Sequence, residues 1–171
     1  MIWILPIISI LLFYFLAILQ TSFFMYFNLF GALPNLVFTL FFLLIFFNSK
    51  NQYLAAVFFG FFAGLFLDIF SIFPIGSSII LLTIVGLLVK KIQSLLKEKK
   101  EDYPFIYFIV LFAISLVIYE LLLRNFAINL KLVLEIIYSS IFATMGFFIY
   151  KKFFKQDTNN KTNRLFKNVF K

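Results

Sequence analysis

Long apolar runs, interrupted only by short polar turns, occupy the chain from its first residues to Tyr150. Inside a bilayer no water is present to satisfy open backbone N–H and C=O groups, so each run must close its own hydrogen bonds as a helix. The totals require such a surrounding. Hydrophobic residues make up 64% of the chain and charged residues 13%, against about 45–50% apolar in an ordinary soluble domain. There are too few polar side chains to cover a water-facing surface, so the bulk of the protein faces lipid. The expected class is all-α: a polytopic membrane protein of about six transmembrane helices.

The first span is expected from about Ile2 to Leu19, ending at Gln20-Thr21-Ser22. Residues Phe23 to Leu33 are apolar but broken by Asn28 and Gly31, and read as a short interfacial or re-entrant piece. Pro34 suits a first helical turn and opens the second span, to Phe47. That run is about 14 residues, short of the roughly 20 needed for a full crossing, so it must begin earlier or the bilayer thins there. After the turn Asn48–Gln52, the third span covers Tyr53 to Phe70. Ser71–Gly76 is a tight turn. The fourth span covers Ser77 to Val89, with an amphipathic extension to Leu96 and Lys90 and Lys91 snorkelling to the interface. The charged loop Lys97–Asp102 leads to a fifth span, Pro104 to Leu123, and a sixth, Leu132 to Tyr150. Residues 1–150 thus form one transmembrane domain and 151–171 a basic tail. In that tail Leu165, Phe166, Val169 and Phe170 can share a face flanked by Arg164, Lys167 and Lys171, a pattern that suits anionic lipid.

The chain has no Cys and no His. Disulfides, thiol nucleophiles, imidazole acid–base chemistry and thiolate or imidazole metal sites are excluded, and no cofactor is expected. The first residues lack a charged n-region, and no cleavage pattern follows, so the first run reads as a span and not a signal peptide. The net charge of +8 matters through its placement. Six spans with the N-terminus inside put thirteen of the fifteen Lys and Arg in inner loops and the tail, leaving Arg124 and Lys131 outside. Both termini are then cytoplasmic, and the basic residues call for no nucleic-acid partner.

Candidate functional residues are the polar groups and glycines within the spans. Gly60, Gly64 and Asp68 are four apart and share one helix face. Two glycines at that spacing admit a second helix closely, by ordinary internal packing or at a partner contact. Asp68, a costly residue inside a membrane, either caps the fourth helix at Gly76-Ser77-Ser78 or engages a partner. Glu120 and Arg124 stand in the order that favours a helical ion pair. Glu135 shares a stripe with Ser139 and Gly146. Under the six-span topology Gln20, Asp68, Glu120, Arg124 and Glu135 gather at the outer ends of their helices, as a contact surface or a pocket.

Residues Gly60-Phe61-Phe62-Ala63-Gly64-Leu65-Phe66-Leu67-Asp68-Ile69-Phe70-Ser71, followed by Pro74-Ile75-Gly76, resemble the most recognisable stretch of the rod shape-determining MreD family. Gln20 ending a first span and Pro34-Asn35 opening a second also fit, as do length, span count and cytoplasmic termini; Asn35 stands where many members carry Asp. The resemblance implies a non-catalytic subunit of the bacterial cell-elongation and peptidoglycan-synthesis machinery, in the cytoplasmic membrane. Its partners would be MreC, the actin-like MreB, the glycosyltransferase RodA and RodA's penicillin-binding transpeptidase. The family is similar in fold to the substrate-binding subunits of energy-coupling-factor vitamin transporters, which supply the alternative function. That alternative calls for alanines on the first span and a Trp-lined pocket. Ile2 to Leu19 holds only Ala17, and the sole Trp is Trp3.

Overall fold

The computed structural model describes residues 4–28, 30–48, 53–71, 74–95, 105–124 and 129–169, and the side chains of 6–152 among them. Six α-helices follow in order: α1 (Ile4–Ile18), α2 (Leu36–Phe47), α3 (Tyr53–Ile69), α4 (Ser77–Leu95), α5 (Phe105–Leu123) and α6 (Leu130–Val169). Four stretches are long and apolar enough to cross a membrane: Pro6–Phe27, Ser77–Leu95, Phe105–Leu123 and Leu130–Lys152. Outward-facing stripes such as Ile80, Ile84 and Leu88 on α4, or Ile106, Val110, Ile114 and Ile118 on α5, are exposed aliphatic surface at four-residue spacing. Water would not tolerate that much apolar surface, and lipid does. The chain is a polytopic helical membrane protein.

The first run does not stop at Leu19 as its composition suggests. After α1 the backbone makes a π-helical turn over Leu19–Phe23 and a 3-10 turn over Phe24–Phe27. Gln20 therefore lies within a 22-residue helical stretch, not at its end.

The short second run does not begin earlier, since its helix starts at Leu36. Its 12 residues span only about 18 Å, yet Val37, Phe38, Phe41, Phe42, Ile45 and Phe46 are all buried. A helix apolar all round belongs in an interior, and α2 is the central helix of the bundle. Its rings pack on α5 through Phe38–Phe112, Phe42–Phe108 and Phe46–Phe108. Gly86 of α4 leaves room for Ile45 and Phe41, and Gly146 of α6 for Leu43.

Protein groups serve the ends of α2 in place of water. At its C-terminus Lys90 Nζ donates to Ile45 O at 2.6 Å and to Asn48 O at 3.2 Å, while Gln93 Nε2 donates to Phe46 O at 3.1 Å. Lys90, expected at the interface, is 0% exposed. A cation at a helix C-terminus meets orphan carbonyls and the negative end of the dipole together, which outweighs snorkelling here. Lys91 beside it is exposed.

Helices α3 and α4 form the tightest pair. A Cβ on Gly60 would press on the Thr83 backbone, and one on Gly64 would overlap the backbone of Ile79 and Ser78. The glycine face is thus consumed internally, as packing. Helix α6 continues without a break across residue 150 to Val169. The expected lipid-facing stripe at Leu165, Phe166, Val169 and Phe170 falls outside the described side chains. Lys50 and the loop 97–102 lie outside the described residues.

Candidate functional site

At the end of the bundle where α3 turns into α4, all six helices or their immediate extensions contribute polar side chains to one buried cluster. It begins with Asp68, 2% exposed. The carboxylate accepts hydrogen bonds from Gly76 N at 2.7 Å, Ser78 N at 2.9 Å and Ser77 Oγ at 3.3 Å. The turn can fold back this sharply because Gly76 adopts φ +104°, a region L side chains rarely enter. Of the two roles open to Asp68, the structure displays the cap: a carboxylate on the first N–H groups of α4, favoured also by the helix dipole. The ion pair with Arg124 is not formed, since Arg124 is committed elsewhere.

Ser78 extends the cluster to α5. Its hydroxyl accepts from Tyr119 Oη at 3.0 Å, and Tyr119 also packs its ring against Phe38 of α2 at 5.4 Å. The next residue, Glu120, accepts from Asn35 Nδ2 at 3.3 Å. Asn35 is the N-cap of α2: its Oδ1 accepts from Phe38 N at 3.0 Å, and its own N–H donates to Ser139 Oγ of α6 at 2.8 Å. Gln20 reaches across from the π turn, its Oε1 accepting from Leu36 N at 2.9 Å. The N-terminal donors of the central helix are thus met by Gln20, Asn35 and Ser139 from three segments, which is how a helix can start inside the protein.

An ionic network closes the far side. Arg124 Nε lies 3.1 Å from Glu120 Oε2, and its Nη2 lies 2.5 Å from Glu135 Oε2. Lys131 Nζ approaches Glu135 Oε1 at 3.9 Å. The two carboxylates are nearly buried, while Arg124 is partly exposed and Lys131 more so. The two acids and two bases of this network cancel in formal charge, and Asp68, bonded to the start of α4, adds a third carboxylate to the cluster.

Gln20, Asp68, Gly76, Glu120, Arg124 and Glu135 are therefore brought to one end, while Gly60 and Gly64 lie along the α3–α4 seam leading to it. Sequence reasoning passes over Tyr119 and Lys131, and it does not reveal that Asn35 links α2, α5 and α6. The sequence signals that point there are the Pro34-Asn35 pair of the family resemblance and the stripe of Glu135 and Ser139, four apart. Chemically the cluster is turned inward: its donors and acceptors are directed at one another and at helix ends, and Glu120 Oε2, which accepts no hydrogen bond, lies against Arg124 as an ion pair. Beside it a cleft of about 60 Å³ runs between the π turn and the end of α3, lined by Gln20, Thr21, Phe66, Phe70 and Ser71. That is room for a few waters, against about 300–1,000 Å³ for a typical ligand pocket. Comparison of the chain with protein-family models, curated proteins and solved structures finds no match.

The cap reading of Asp68 has a measurable consequence. Asp68→Asn keeps an oxygen for Gly76 or Ser78 N–H and is expected to be mild. Asp68→Ala removes every acceptor and should cost about 0.5–2 kcal/mol, the range for a lost N-cap. Thermal unfolding in detergent should rank parent, Asn and Ala in that order. Asn as harmful as Ala would mean that the charge matters and not the cap.

Proposed function

We propose that this protein is a non-catalytic scaffold subunit of the bacterial cell-elongation machinery, acting in the cytoplasmic membrane with MreC, MreB, RodA and its penicillin-binding transpeptidase. The observation that carries this reading is the closure of the polar cluster. Asp68, Asn35, Gln20, Glu120, Arg124 and Glu135 hold six helices to each other, which suits a rigid body that offers its outer faces to partners. The stretch resembling the MreD family, Gly60 to Gly76, is the same stretch that forms the closest helix pair and its capped turn. The vitamin-carrier alternative draws less support, because the side chains at that end are spent on helix ends and on one another. In this reading the chain crosses six times, and given that count the Lys and Arg distribution favours both termini in the cytoplasm.

The test is made in cells depleted of the native protein. A tagged copy is expected to restore rod shape and to bring MreC through detergent purification. Because the chain has no cysteine, single cysteines report topology in the same strain. One at Ile75 should react with an impermeant thiol reagent in intact cells, and one at Lys152 should not. Unchanged shape on depletion, with transporter ATPases co-purifying, would sink the scaffold reading.

A further inference from the structure

The return from α1 to α2 is the most exposed apolar part of the described protein. Tyr26 is 88% exposed and Phe30 87%, and Phe23, Met25 and Phe27 are each more than half exposed. From Ile4 to Asn48 the chain contains no Asp, Glu, Lys or Arg, so the segment has no ionic complement for a charged partner or for water. Its polar end is closed internally, since Asn28 Nδ2 donates to Met25 O at 2.8 Å.

The segment is held in place and not left dangling. Phe24 points inward, edge-on to Phe142 at 5.3 Å and to Tyr138 at 6.2 Å on α6. Tyr138 Oη approaches Phe27 O at 3.5 Å. Phe30 sits at φ +52° and Gly31 at +80°, left-handed backbone at the point where the chain turns towards α2. The segment presents Phe23, Met25, Tyr26, Phe27 and Phe30 away from the protein. Leu11, Tyr14 and Phe15 of α1 are exposed as well, within the same apolar stretch that runs to Phe27.

We propose that these five side chains lie in the boundary between headgroups and acyl chains of the adjoining leaflet, as an interfacial anchor that sets the depth of the first helix and of the α2 N-terminus. Amphipathic rings such as Tyr favour that depth, and short apolar segments bind there through buried area. Continuity with the apolar stretch of α1, together with the lack of charge, selects lipid over a polar protein surface. The inference does not depend on the scaffold reading.

The native Trp3 is replaced by Phe, and Tyr26→Trp and Phe30→Trp then provide two single-Trp reporters. Both positions are outward, so neither reporter disturbs packing, and each checks the other. The purified protein is reconstituted in vesicles of phosphatidylcholine and phosphatidylglycerol. The expected result is blue-shifted emission, quenched more by lipids brominated near the glycerol than by lipids brominated at the chain end or by aqueous iodide. Dominant iodide quenching would place the segment in water. Dominant chain-end quenching would make it a crossing element, and protection from every quencher would mean that a second copy covers it. Any of these three overturns the proposal.

Discussion

Replacing Gly64 with Leu is expected to abolish accumulation of the folded protein, while Gly60→Ala remains recoverable. The difference lies in what each new Cβ meets. At Gly64 it overlaps Ile79 Cα and N and the carbonyl carbon of Ser78, all backbone; at Gly60 it meets the Thr83 backbone at 3.0 Å and its hydroxyl at 3.1 Å. Backbone cannot rotate aside, so the helices must part. Overpacking alone costs roughly 1–3 kcal/mol, which covers Gly64→Ala. Leu separates α3 from α4 further, one turn from Asp68, and strips the bonds to Gly76 and Ser78, adding about 0.5–2 kcal/mol for the lost cap. Membrane abundance and the thermal midpoint in detergent measure both effects. A Leu variant that unfolds with the parent would show that the seam is looser than its geometry.

The α3–α4 hairpin is legible in the sequence because its information is local. Gly60, Gly64 and Asp68 repeat every four residues, and the cap lies ten residues or fewer beyond Asp68, so helical geometry and turn chemistry suffice. Helix α2 is not legible in the same way. Its length invites comparison with the bilayer, whereas its ends are satisfied by Gln20, Ser139, Lys90 and Gln93, none of them near it in sequence. Lys90 shows the same limit: a lysine ending an apolar run reads as an interfacial anchor until the carbonyls of Ile45 and Asn48 are placed beside it. The gathering of Gln20, Asp68, Glu120, Arg124 and Glu135 follows from counting spans, but their pairing does not. Arg124 has several acids available, and only the packing of α5 on α6 selects Glu135 as its second partner.

Arg124→Met is expected to be the most destabilising single change in the polar cluster, and its rescue is informative. The guanidinium serves Glu120 through Nε and Glu135 through Nη2, a two-sided fork that an ammonium cannot reproduce. Its loss leaves two nearly buried carboxylates facing each other, with only the more exposed Lys131 near Glu135. Breaking a buried ion pair from one side costs about 3–5 kcal/mol, mainly because the remaining charge is stranded. Arg124→Lys should fall between parent and Met. Neutralising the acids together with the base, as Arg124→Met with Glu120→Gln and Glu135→Gln, should recover most of the loss. The amide oxygen introduced by Glu120→Gln can still accept from Asn35 Nδ2. Unfolding in mixed micelles gives the stability order, and no loss in Arg124→Met would mean that water already reaches the network. The same four proteins separate architecture from recognition. If the proposed scaffold role holds and the cluster only clamps α5, α6 and α2, recovery of the proposed partner MreC with the triple variant returns together with its stability. If a partner reads the Arg124 charge, the triple variant is stable and still comes through purification alone.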